Sequence, residues 1–136
     1  MSVIVDTSVW SLALRRSTSP TVPLAVTQLR NLITDDQAVF LGAIRQEILS
    51  GVRSSEQFIR LRAYLRAFPD LDLITEDYEL AAEFFNICRS NGIQGSNTDF
   101  LICAVAHRRS YSILTTDNDF QSFHLHIPIL LLPVGN

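Results

Sequence analysis

Short β-branched or apolar runs alternate along this chain with amphipathic segments of helical period, and that alternation leaves few folds open to it. Val3-Ile4-Val5 is a continuous apolar run, as expected of a strand covered on both faces. Asp6-Thr7-Ser8 then supplies N-cap chemistry for a helix to about Arg15. After a turn-rich break over 17–23, Leu24 to Ile33 is expected to be helical, and Ala38 to Leu41 to form a second buried strand. Ile44, Ile48, Leu49 and Val52 recur at helical period, and that helix is expected to end at Gly51 or shortly after. Ser54 with Gln57 resembles a capping box that opens another helix, stopped by Pro69. Leu71 to Ile74 predicts a third, more exposed strand, and Thr75 a cap for a helix that runs to Asn91-Gly92. Ser96-x-x-Asp99 predicts a capped apolar helix that ends in His107-Arg108-Arg109, cations suited to a helix C-terminus. Ser112 to Thr115 and Pro128 to Leu132 predict the fourth and fifth strands. Strands alternating with helices imply an α/β domain with a mostly parallel central sheet of about five strands flanked by helices.

The 136 residues suit a single domain over 1–136, and 47% hydrophobic against 18% charged residues is the balance of a packed protein. The longest apolar stretch, Ile127 to Val134, is broken by Pro128 and Pro133 and is too short to span a bilayer. Asp6 interrupts the opening run before a leader could form, so a cytoplasmic protein without a membrane partner is expected. Cys88 and Cys103 have no metal-type spacing and are expected to be buried, reduced thiols. Every base is Arg and none is Lys; 45–66 is Arg-rich and 70–83 acidic.

Ligands of open parallel sheets bind beyond the carboxyl ends of the strands. Asp6 ends the first strand, Asp117 and Asp119 follow the fourth, Asp99 opens the helix that leads into it, and Glu47 lies in the helix after the second. Each acid also has a purely local role to play, as an N-cap, a capping-box acid, a turn former or a solvated helix residue. Together they lack a neighbouring base at any strand end, and two like charges about 4 Å apart repel by roughly 4 kcal/mol at an effective dielectric near 20. A hard divalent cation would remove that cost. Oxygen ligands alone suit Mg²⁺ or Mn²⁺ rather than zinc. An EF-hand is excluded, since a loop starting at Asp117 would need Gly where Ser122 stands and Glu where Pro128 stands. A receiver domain or a dehalogenase-type phosphatase would need a Lys that the chain lacks.

The stretches VIVDTSVW (3–10), FLGAIRQEILSGVRS (40–54), NTDFLICAVA (97–106) and ILTTDNDF (113–120) resemble, in order, the motifs of PIN-domain ribonucleases, in particular the VapC-type toxins of toxin–antitoxin pairs. The resemblance implies a PIN-like three-layer fold and a catalytic quartet of Asp6, Glu47, Asp99 and Asp117, with Asp6, Asp99 and Asp117 as Mg²⁺ ligands. Asp119, Ser8 and Thr115 would support them. It implies hydrolysis of RNA phosphodiester bonds, a homodimer, and neutralisation by a cognate VapB-type antitoxin. With no Lys available, Arg15, Arg16, Arg45 and Arg53 lead the candidates for holding RNA, ahead of Arg60, Arg62 and Arg66. The alternatives are a PIN-like housekeeping nuclease and a non-catalytic PIN scaffold that binds protein or RNA.

Overall fold

The computed structural model describes residues 1–15 and 20–135. In chain order the elements are β1 (Val3–Val5), α1 (Thr7–Leu14), α2 (Leu24–Thr34), β2 (Ala38–Val39), α3 (Gly42–Leu49) and α4 (Ser55–Leu65). They continue with α5 (Thr75–Ser90), α6 (Asn97–Arg109), β3 (Ser112–Leu114), α7 (Asp119–His124) and β4 (Leu130–Leu131). The strands form one parallel sheet in the order β2-β1-β3-β4. Val3, Ile4 and Val5 pair with Ser112, Ile113 and Leu114 on one side, and Val3 and Ile4 with Ala38 and Val39 on the other. Side chains alternate across a strand, yet all three of β1 are fully buried, so both faces of the sheet are covered there.

α6 supplies much of that cover. It packs on β1 and β3, and Ile102 to Ala106 are buried all round, as in a helix that has no solvent face. Its start is capped as its spacing predicts: Asp99 N–H donates to Ser96 Oγ at 3.0 Å, and Ser96 N–H to Asp99 Oδ2 at 3.1 Å. Gly95, the residue before this box, lies against the buried rings of Phe123 and Phe100. A Cβ there would stand 2.6 Å from Phe123 Cζ and 2.9 Å from Phe100 Cε2. Gly95→Ala is therefore expected to destabilise the fold by about 1–3 kcal/mol, as overpacking does. A lower denaturation midpoint at an unchanged slope would show it; an unchanged midpoint would not fit this packing.

The sheet has four strands among the described residues rather than five. Leu71 to Ile74 is not a strand. Among the described residues its pairing with the sheet is the isolated parallel bridge of Phe40 with Asp70, in which Leu71 N–H donates to Phe40 O at 2.9 Å. β2 is too short to offer more, because Leu41 already caps α3. Thr75 is not a cap: Ile74 holds that position, and Asp77, three residues on, accepts its N–H at 2.9 Å. β4 is confined to Leu130–Leu131, well inside the expected span. Arg108 and Arg109 do more than face the end of α6. Their guanidiniums meet the fully buried Asp77 at 2.8 and 2.9 Å, tying α6 to the start of α5. Both cysteines are free and buried, and burial raises both thiols above their ordinary range, Cys103 the further. Trp10 is a core residue between the rings of Phe40 and Phe68. No helix among the described residues is long and apolar enough to cross a membrane.

Candidate metal centre

From β1 the chain crosses to β2 on one side, and later to β3 on the other, so the strand order reverses between β1 and β3. Such a switch point opens a crevice at the carboxyl ends of its strands. Asp6 is the first residue beyond β1, and Asp6 N–H is still bonded to Leu114 O at 2.9 Å. Its carboxylate is buried and caps α1 through Ser8 N–H at 3.4 Å. Thr115, the first residue beyond β3, donates its hydroxyl to the same Asp6 Oδ2 at 2.8 Å.

That bond sets the direction of the others. Thr115 has one hydroxyl proton, and Asp6 takes it. In the 3.3 Å contact between Ser8 Oγ and Thr115 Oγ1, Ser8 must therefore be the donor. Thr115 Oγ1 also accepts Asp117 N–H at 3.0 Å, and Ser8 Oγ accepts Thr116 N–H at 3.1 Å. The two strand ends are thus laced together by hydroxyls. Asp117 in turn closes a turn on itself, its Oδ1 accepting Asp119 N–H at 2.9 Å.

One pattern runs through Asp6, Asp99 and Asp117. Each has one carboxylate oxygen bound to neighbouring donors: Asp6 Oδ2, Asp99 Oδ2 and Asp117 Oδ1. Among the described residues the other oxygen of each accepts no hydrogen bond, and none of the three acids has an ion-pair partner. Asp99 feels the other two. Burial first, and then the charges of Asp6 and Asp117, push the Asp99 carboxyl from 3.8 up to about 6, against the opposing bonds from Ser96. Among the described residues no three acidic, His or Cys side chains already stand close enough to enclose an ion. The donors are nevertheless of the kind a hard cation takes, carboxylate oxygens from three separate segments.

The remaining expected residues fall in different places. Glu47 is exposed on α3, and its carboxylate is held by Thr7, whose hydroxyl donates to Glu47 Oε1 at 2.6 Å. Asp119 is exposed at the start of α7, and what it contributes is its N–H to Asp117. Arg45, two residues before Glu47 on a different face of α3, turns inward. It pairs with Asp70 at 2.9 Å, donates to Leu65 O and Phe68 O, and lies over the Phe40 ring, so its guanidinium is engaged within the fold. Arg15 and Arg53 are exposed and make no salt bridge among the described residues; Arg16 lies outside the described residues. Two contacts had no sequence signal. Nothing in the spacing connects Thr7 with Glu47, or Asp77 with two arginines of α6. Of the three acids Asp117 also borders a cleft of about 830 Å³, together with Thr116, Gln121, His124 and β4.

No curated protein matches the chain. Solved structures do, over nearly its full length. The FitAcB structure from Neisseria gonorrhoeae is 19% identical, with 96% of each chain covered and a TM-score of 0.73. VapBC2 from Rickettsia felis, solved with a DNA fragment from its promoter, is 15% identical over 97% of this chain and 98% of that one, with a TM-score of 0.73. VapBC-5 from Mycobacterium tuberculosis, of the VapBC family of toxin–antitoxin systems, is 16% identical over 97% and 100%, with a TM-score of 0.64. At these identities the likeness is one of fold. The PIN-domain family model matches residues 3–124, a span that holds Asp6, Glu47, Asp99 and Asp117. The chain belongs to the PIN-domain family.

Proposed function

We propose that this chain, as one domain, is a Mg²⁺-dependent endoribonuclease and the toxin of a toxin–antitoxin pair. The observation that carries the reading is the trio Asp6, Asp99 and Asp117 at the switch point. Each turns one oxygen to its own backbone or a hydroxyl and, among the described residues, leaves one open with no base to neutralise the three. Asp6 Oδ1, Asp99 Oδ1 and Asp117 Oδ2 are the atoms that would hold Mg²⁺, with Mn²⁺ as a substitute. When bound there, the ion supplies a lowered water pKa and polarisation of the phosphoryl oxygens. The chain's own residues do the rest. Asp99 or Asp117 accepts the proton of the attacking water. Ser8 and Thr115 fix the Asp6 carboxylate so that it does not reorganise, and Glu47 stands by as the fourth acid.

RNA needs a cationic path to this rim. Arg15 and Arg60 border an open cleft of about 680 Å³ with Gln57, Leu61 and Tyr64. Arg15 lies at the far end of α1 from Asp6, about 13 Å at 1.5 Å per residue, within reach of a strand whose phosphate lies at the acids. Two exposed guanidiniums and an exposed tyrosine ring suit an unpaired RNA segment. The toxin assignment, with a VapB-type antitoxin as partner and a homodimer as the assembly, is supported by the fold shared with the VapBC structures. The test is cleavage of a single-stranded RNA by the purified chain. Cleavage with Mg²⁺ that stops with a chelator, and growth arrest on expression without a partner, are expected. RNA cleavage indifferent to the chelator would reject the metal dependence, and none under any divalent ion would reject the nuclease. Normal growth with a cleaving enzyme would reject only the toxin.

A further inference from the structure

The hydrogen bond between Thr7 and Glu47 joins residues forty positions apart and involves none of the acid trio. Glu47 is exposed and carries a long side chain. Among the described residues no other hydrogen bond or ion pair reaches its carboxylate. Thr7, by contrast, cannot wander. It is the first residue of α1, directly after Asp6, whose N–H is fixed to β3 and whose carboxylate caps the helix. Its β-branched side chain is stiff at χ1 and half-buried. A fixed helix start therefore presents a hydroxyl to an exposed acid.

We propose that Thr7 is the positioning residue that brings Glu47 to the rim of the acid site. This rests on the metal-site reading above. At 3.6 residues per turn, neighbouring residues point about 100° apart. Thr7 thereby faces α3 while Ser8 faces β3, and the first turn of α1 organises acids from both sides. The bond also repeats the pattern of the other acids. Glu47 Oε1 is tied and Oε2 carries no bond among the described residues, so Glu47 too keeps one oxygen open toward solvent or a ligand. Ser8 acts on Asp6 through Thr115, and Thr7 acts on Glu47 directly.

The test uses the full-length chain with Mn²⁺ as the probe, together with RNA cleavage. Thr7→Val keeps the branched shape and removes the donor; Thr7→Ser keeps the donor. Thr7→Val is expected to weaken Mn²⁺ binding by about tenfold, the scale on which outer-shell partners act, and to lower kcat with KM for RNA unchanged. Thr7→Ser is expected to restore both, which a loss of packing at this site would not allow. Glu47→Gln is expected to match Thr7→Val, and the two together to do no worse than either, since Thr7 acts only through Glu47. Mn²⁺ binding by Thr7→Val as tight as wild type, or effects of Thr7→Val and Glu47→Gln that multiply, would overturn the role of Thr7 and leave the metal site standing. A wild-type chain that takes up no Mn²⁺ would remove the metal site and this role together.

Discussion

Asp99→Asn is expected to lose RNA cleavage and gain stability in the same protein. The two effects share a cause. In the metal-free protein Asp99 is partly buried beside Asp6 and Asp117, and its carboxyl is pushed up to about 6 against an ordinary 3.8. A group that holds its proton more tightly in the native state stabilises that state most at low pH. The stabilisation is full below pH 3.8, declines as pH rises toward 6, and is gone above it. At about 1.4 kcal/mol per pH unit, the charged Asp99 costs the metal-free fold at most about 3 kcal/mol at pH 8, and less to the extent that water screens a partly exposed carboxylate. Asparagine avoids that cost, and its side-chain carbonyl can still accept Ser96 N–H, so the cap of α6 survives. Denaturation at pH 8 in chelator should show the variant more stable by about 1–3 kcal/mol, a gain that disappears near pH 4. Cleavage should fall by about 10²–10⁴-fold, the scale of a lost proton acceptor, with the lost cation ligand adding to it. A variant that cleaves normally, or one destabilised at pH 8, would contradict the assignment.

Asp77→Ala is expected to be the most damaging single change outside the site. Asp77 is fully buried and accepts from Arg108, twice from Arg109, and from Ile74 N–H. Burial alone would raise its carboxyl, but the bonds from Arg109, Ile74 and Arg108 outweigh it and hold the group at about 2. The sign is opposite to that of Asp99. Stability from Asp77 is full above pH 3.8 and is lost as pH falls toward 2. Removing one partner of a buried pair leaves the others uncompensated, at about 3–5 kcal/mol. The two arginines are partly exposed, at 29% and 20%, and can turn to water, so the lower end of that range is expected. Urea denaturation would check it, and a loss under about 1 kcal/mol would mean the cluster is worth no more than a surface pair. With Asp77 losing its contribution below pH 4 and Asp99 losing its own above, the combined contribution of these two groups is greatest near pH 4.

What the sequence made legible is local. The run Val3 to Val5, the Ser96–Asp99 box and the apolar helix behind it each carry their structure in their own spacing, and all three formed as expected. The positions of Asp6, Asp99 and Asp117 followed, because strand ends and a capped helix start carry them. The segment from Leu71 to Ile74 looked like a strand for the same local reasons and failed for a non-local one: β2 ends before it can offer a partner. Arg45 and Asp77 were hidden in the same way. Nothing near Arg45 in the chain announces Asp70 or the carbonyls of Leu65 and Phe68. Nothing near Asp77 announces two arginines some thirty residues on. Side chains that pair across the fold are invisible to periodicity.

That Asp6, Asp99 and Asp117 share one cation can be tested on Asp99 itself. Its carboxyl carbon, followed by NMR through a pH titration of the metal-free chain, should titrate near 6. Saturating Mg²⁺ should remove that titration from the neutral range, because an ion among the three acids holds Asp99 ionised. A carboxyl that titrates near 4 and takes no notice of Mg²⁺ would contradict the account.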